Sequence, residues 1–349
     1  MRGLAALLVI TDHIPSGLAD VFLGRAMAVD FFFVLSGFVL AHAYADRLNA
    51  GMSAFAFMRS RLIRLYPFYI VGTALGAIPI IVNVLTGAWH PSAGQFAIVG
   101  MFAMTFIPCP PFTGWTGNLL YPFVPPAWSL FFELVANLAF ALIAPLRRVG
   151  VLAVWLPVAA VALVAANFVH GSFDMGWEYG AWYGGATRIA FGFFMGVLLY
   201  QVWRRGSSFT IPVWLAFPAF LLVTACQNLF PGQWGVVYSS LIQLVVIPVM
   251  VLGAANAKVS GRAAATCAFL GAQSYGVYLL HEPMIGLAKY LPGDPLTNAP
   301  ILFTLGIALT ALAAATILYR VYDVPLRTQL SRLSKRVFRP SVRERAAGG

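Results

Sequence analysis

The sequence predicts an all-α protein, a polytopic transmembrane helix bundle of about ten spans with both termini in the cytoplasm (N-in/C-in). Three observations lead there. Hydrophobic residues make up 60% of the chain and charged residues 9%, against about 25% charged in an ordinary soluble domain. The apolar residues run on continuously, as from Val151 to Val169 and from Ile301 to Leu318, where barrel strands would alternate. The arginines gather on one side of the resulting topology.

A window of about 20 apolar residues marks a span. In order, the spans fall at 3–19, 28–45, 65–86, 126–145, 150–169, 185–203, 211–229, 236–255, 268–290 and 299–320. Residues 95–108 are apolar but short and run into prolines, which predicts a re-entrant or interfacial piece. With the N-terminus inside, the inner loops carry Arg47, Arg59, Arg61, Arg64, Arg147, Arg148, Arg204, Arg205, Lys258 and Arg262, and the outer half only Arg25, Arg188 and Lys289. That asymmetry is the positive-inside pattern. It also accounts for the net charge of +11, which in a soluble protein would suggest nucleic acid; no nucleic-acid partner is expected here. The chain divides into a membrane domain, 1–322, and a basic cytoplasmic tail, 323–349, suited to an anionic lipid surface. Three scattered cysteines show neither a disulfide framework nor metal spacing, so no metal is expected. No cleavage site follows the first apolar run, so that helix is expected to be retained.

Ionisable groups inside the spans are few, and at that depth each is a functional candidate. The first helix has Arg2 at its start and Asp12 and His13 further along. A continuous helix would raise His13 roughly 16 Å above Arg2. Asp30 opens the second span, Glu133 lies on the first turns of the fourth, and His281 and Glu282 lie in the ninth. Counting from the span edges puts the carboxylates and imidazoles in one outer layer and Arg2, Arg61 and Arg64 in an inner one. A histidine and a carboxylate at one depth suit general-base chemistry on a hydroxyl; a helix-bundle histidine bonded to a carbonyl is the plainer alternative, favoured for His281. Arg61 and Arg64, three residues apart on one face, suit phosphate or simple anchoring. Asp30 suits either a dipole-favoured helix start or substrate orientation. Ser36-Gly37 reads as close helix packing, since Ser36 lacks a nucleophile elbow. Trp128 introduces Glu133, and with Trp115, Trp177 and Trp182 it suits either an interfacial belt or stacking on sugar rings.

Five motifs in order, Arg2-Gly-Leu-Ala-Ala-Leu with His13, Val29-Asp-Phe-Phe-Phe-Val-Leu-Ser-Gly-Phe38, Arg61-x-x-Arg64-x-x-Pro67, Trp128-Ser-Leu-x-x-Glu133 and Ser274-Tyr-Gly-Val-Tyr-Leu-Leu-His281, resemble those of the acyltransferase 3 family of bacterial membrane O-acyltransferases. The resemblance implies about ten helices in the inner membrane. It implies transfer of an acyl group, usually acetyl from acetyl-CoA, to a hydroxyl of a glycan, glycolipid or glycosylated metabolite. It makes His13 the essential histidine, oriented by Glu133 or Asp30, and Arg2, Arg61 and Arg64 the groups that meet the phosphates of acyl-CoA. Ser36, Trp128, Ser274, Tyr275, Tyr278 and His281 would be structural or would orient substrate. Acyl-CoA is then a co-substrate, with no tightly bound cofactor, and a carbohydrate-containing acceptor and the lipid bilayer are the other partners. A transporter or flippase for an anionic or saccharide substrate is the alternative; the absence of inverted repeats speaks against it.

Overall fold

In the computed structural model, residues 2–11, 13, 14, 26–111, 117–290, 292 and 298–337 are described. Among them the only strand-like feature is a single bridge, Leu119 with Glu178; the rest is helix and connecting loop. The helices are α1 (Arg2–Ile10), α2 (Met27–Asn49), α3 (Ala54–Leu85), α4 (Ala93–Ala103), α5 (Ala127–Leu142), α6 (Val149–His170), α7 (Trp182–Arg204), α8 (Val213–Ala225), α9 (Gln233–Ala255), α10 (Gly261–Ala288), α11 (Pro300–Leu318) and α12 (Val324–Val337).

Six of the helical stretches are long and apolar enough to cross a membrane: α2, α3, α6, Tyr179–Arg204, α9 and Pro300–Arg336. Their outer faces confirm the solvent they meet. Val154, Val158 and Val161 on α6 and Leu302, Leu305 and Leu309 on α11 recur at helical spacing and point outward. Such a surface suits hydrocarbon, where Leu and Val are at no disadvantage. The short apolar piece at 95–108 forms α4, begun by a capping box in which Ser92 and Gln95 satisfy each other's backbone N–H groups.

Two helix groups meet at the site. One holds α2, α6, α7 and α9, with α2 and α7 in extended contact; the other holds α1, α3, α10 and α11. Helix α5 touches α3 on one side and α7 on the other. The α2–α7 seam is close because glycines line it. A Cβ at Gly37 would fall 1.8 Å from the Phe193 carbonyl oxygen, and one at Gly196 would fall 2.0 Å from the Val34 carbonyl oxygen. Small residues that let backbones approach are the usual means of association where lipid replaces water. On the other side Gly3 lets α1 lie against α10, where a Cβ would meet Leu270 at 2.4 Å.

Of the element boundaries that differ from those the sequence predicts, three bear on the site or on the domain division. Helix α1 ends at Ile10, so His13 lies in the turn beyond it rather than on a continuing helix. Thr11 folds its hydroxyl back onto the Leu8 carbonyl at 2.7 Å, and Pro15 in the sequence bars helical geometry before it. Helix α3 begins at Ala54, eleven residues before the apolar run at 65. Ser53 caps it, accepting from the Ala56 N–H, and Pro67 removes only one ladder bond within it. At the other end, the expected boundary at 322/323 falls inside continuous helix: α11 passes through a π turn, Tyr319–Asp323, into α12. Asp12, Arg25 and Trp115 lie outside the described residues.

The glycine seam yields a direct expectation. Gly37→Val should lower stability by roughly 1–3 kcal/mol, the usual effect of overpacking, read as a reduced thermal midpoint in detergent. Gly150→Ala, at a position with open space around it, should leave the midpoint unchanged.

Candidate active site

The arginine side of the site, inner in the topology expected from the sequence, is a cavity between α1, α2, α3, α5 and α10, lined by Arg2, Arg61, Arg64, Glu133, Ser274 and Tyr275 among others. Because α3 starts at Ala54, Arg61 and Arg64 stand two to three turns inside the helix, on the face turned to α5 and α11. Arg61 Nη2 donates to Glu133 Oε1 at 3.0 Å. Ser36 donates to the same oxygen at 2.7 Å. Asn137, one turn further along α5, accepts from Arg61 Nε at 3.3 Å and donates to the Glu133 carbonyl at 3.2 Å with its amide turned to satisfy both ends. Arg64 faces Asp323 at 3.7 Å, and Arg327 pairs with the same carboxylate. Arg2, Arg61, Arg64 and Arg327 thus meet two carboxylates, which leaves an excess of positive charge at the inner mouth. Tyr275 donates to the Leu65 carbonyl at 2.7 Å, and Ser274 bonds within its own helix to the Gly271 carbonyl at 2.9 Å.

The outer part is a wider cavity of about 400 Å³, lined by His13, Trp128, Asp174, Trp177, Arg188 and Glu282 among others. That volume lies in the range of small-molecule sites. Val29 and Tyr278 line both cavities, so the two adjoin. The Tyr278 hydroxyl shares a hydrogen bond with Ser129 at 2.8 Å and donates to the Pro126 carbonyl at 3.2 Å. That fixes the wall between the cavities. His281 is fully buried, with its ring centroid 5.0 Å from that of His13. Trp128 is buried rather than belted at an interface, with the Arg188 guanidinium 5.3 Å from its ring centroid. Trp177 borders the outer cavity, while Trp182 lines a separate apolar groove between α5 and α7.

Two expectations about the carboxylates are corrected. Asp30 does not face His13. Arg188 Nε donates to its Oδ1 at 2.9 Å and Arg188 Nη2 to its Oδ2 at 3.0 Å, while Gln243 donates to Oδ2 at 3.0 Å. Arg188 completes its shell with the Met175 and Ala26 carbonyls at 2.8 and 3.1 Å. Gln243 sits on a π turn, Ile242–Val246, and accepts from Asn167 at 2.8 Å. Nor does Glu133 share a layer with the imidazoles; it belongs to the arginine cluster through Arg61. The count along its own helix is not at fault; Arg61 reaches it because α3 starts at Ala54 and carries that arginine two turns into the helix. Arg188, Gln243, Asn137 and Asp323 are the site residues that the sequence reading does not single out. Arg188 does carry a signal, as a rare cation on the outer half of the topology.

The fold and site define an integral membrane protein with an arginine-lined cavity beside a histidine-lined one. Residues 1–320 match the family model described as an acyltransferase domain, and the chain belongs to that family, acyltransferase 3. The chain is therefore an acyltransferase, and membership favours group transfer over the transport alternative. It is similar to a protein described as acyltransferase MdmB of Streptomyces mycarofaciens, 26% identical over 95% of this chain and 91% of that one. It is also similar to protein 2 in the picA locus of Rhizobium radiobacter, 39% identical over 40% of this chain and 78% of that one. No solved structure matches significantly.

The buried pair sets a stability test. Removing one partner of such a pair leaves an uncompensated charge and costs about 3–5 kcal/mol. Arg188→Leu should therefore lower the thermal midpoint sharply, and Asp30→Asn added to it should restore part of the loss. A double variant no better than Arg188→Leu would show that the ion pair is not what holds α2 to α7.

Proposed function

We propose that the chain moves an acyl group, in the simplest case acetyl, from acyl-CoA to a hydroxyl of a carbohydrate-containing acceptor, across a ten-span bundle whose ends both face the cytoplasm of a bacterial cell. The observation that carries this reading is the pair of adjoining cavities, cationic on one side and histidine-lined on the other, meeting at Val29 and Tyr278. Arg2, Arg61 and Arg64 would hold the donor phosphates by charge-assisted hydrogen bonds. Of the two cavities the inner is narrow, about 80 Å³, which suits a thin pantetheine arm. The outer, with Trp177 at its border, suits a sugar ring.

In this reading His13 takes the proton of the acceptor hydroxyl as its oxygen attacks the thioester carbon. The carbon–sulfur bond then breaks, and the departing sulfur recovers a proton from the imidazolium. The enzyme supplies positioning and general-base help. Glu133 acts on the donor side, holding Arg61 in place for phosphate rather than orienting the imidazole. Envelope polysaccharides and glycolipids of the inner membrane are acceptors of the right chemistry. The relative named acyltransferase MdmB supports acyl transfer as the reaction.

Purified protein given acetyl-CoA and an extract of candidate acceptors should release coenzyme A, and His13→Ala should lower that rate by about 10²–10⁴-fold, the usual worth of a general base. Full activity in that variant, with the protein folded, contradicts the assignment. Arg61→Ala should chiefly raise the KM for acetyl-CoA, by at least about tenfold, since a lost charged hydrogen bond costs about 1.5–3 kcal/mol. A loss confined to kcat would place Arg61 elsewhere in the reaction.

A further inference from the structure

We propose that His281 is a positioning residue that fixes the tautomer and ring orientation of His13, taking the place an acid holds in a Ser-His-Asp triad. The inference rests on the reading of His13 as the base. A catalytic imidazole must present a bare nitrogen to the hydroxyl, so its other nitrogen carries hydrogen and needs an acceptor. Two of the acids near the site are engaged elsewhere: Asp30 accepts from Arg188 and Gln243, and Glu133 from Arg61 and Ser36; Asp174 and Glu282 border the same cavity as His13.

His281 offers the acceptor by elimination of its own tautomers. Its Nδ1 lies 3.2 Å from the Val277 carbonyl oxygen, one turn back on α10. A carbonyl only accepts, so Nδ1 carries the hydrogen, and in the neutral ring Nε2 is left with a lone pair. Nε2 is buried and has no hydrogen-bond partner among the described residues. An unmatched buried acceptor costs about 1–3 kcal/mol, a burden that a functional use explains. The His13 ring lies beside that of His281, with centroids 5.0 Å apart and planes inclined at 47°. Two imidazoles joined edge to edge by a hydrogen bond of about 2.9 Å have centroids about 5 Å apart, so a rotation of the His13 ring in place completes the bond. The chain of donors then runs from His13 N–H to His281 Nε2, and from His281 Nδ1–H to the Val277 carbonyl. Throughout the reaction His281 keeps its proton. The one that moves passes between the acceptor hydroxyl, the free nitrogen of His13 and the departing sulfur. The helix carrying His281 is braced for this task. Tyr275 and Tyr278, on the same helix, bond to the Leu65 and Pro126 carbonyls.

Two substitutions separate positioning from packing. Glutamine puts an oxygen where Nε2 stands, and asparagine reaches only to the place of Nδ1. In purified full-length protein, His281→Gln should keep kcat for acetyl-CoA-dependent acylation within about fivefold of wild type. His281→Asn should lower kcat by about 10²-fold or more, with the KM for acetyl-CoA and the thermal midpoint close to those of His281→Gln. Equal losses in the two variants, equal retention, or a change carried by KM would overturn the proposal. If His281→Asn does not fold, His281→Gln decides alone: a kcat lowered more than about tenfold in folded protein overturns it, and a retained kcat supports it. The assignment of His13 as base fails by a different result, an active His13→Ala.

Discussion

A charge inside hydrocarbon must be paired, and three carboxylates, each held by one or two arginines, meet that constraint here. Asp30 with Arg188 ties α2 to α7, Glu133 with Arg61 ties α5 to α3, and Asp323 with Arg64 and Arg327 ties the end of α11 to α3. The attraction repays desolvation only where geometry is close and the remaining hydrogen bonds are met. Arg188 shows the full form, bidentate to Asp30 and closed by two carbonyls. Arg188, Arg61, Glu133 and Arg64 line the two cavities, so the contacts that tie neighbouring helices together also shape the site.

That pairing divides the chemistry. Asp30, Glu133 and Asp323, drawn to arginines, tie helices together. The imidazoles of His13 and His281, which carry no obligatory charge, are left to face each other. On the proposed reading, a neutral base avoids the cost of a buried ion until the moment a proton arrives. On the proposed reading the excess cations around Arg2 are the complement of this economy, meeting the phosphates of the donor.

Helix positions were legible because long apolar runs have few other solutions in a membrane, and the glycine in Ser36-Gly37 read correctly as a packing residue. What the sequence hid has physical causes. A hydropathy window finds where polar residues stop, not where a helix starts, so the segment from Arg59 read as the opening of the third helix, and the turns from Ala54 that set Arg61 inside it were missed. The early end of α1 depends on Thr11 bonding back to its own turn. The π turns that bring Gln243 and Asp323 into the ion-pair networks add a residue to a helix without any compositional mark. Partner choice was the hardest to see: Asp30 and His13 share a topological layer, but only the fold shows that Arg188, 158 residues away in the chain, claims the carboxylate first.

The account stands on donor and acceptor entering opposite faces of one bundle and meeting beside His13. The direct measurement uses proteoliposomes of fixed orientation, with the face bearing Arg2, Arg61 and Arg64 assigned by cysteine labelling, and acetyl-CoA supplied on one side at a time. Acylation of an acceptor confined to the opposite side, seen only when acetyl-CoA meets the arginine face, is the predicted result. Equal rates from either side, or acylation only when both substrates share a face, would contradict it.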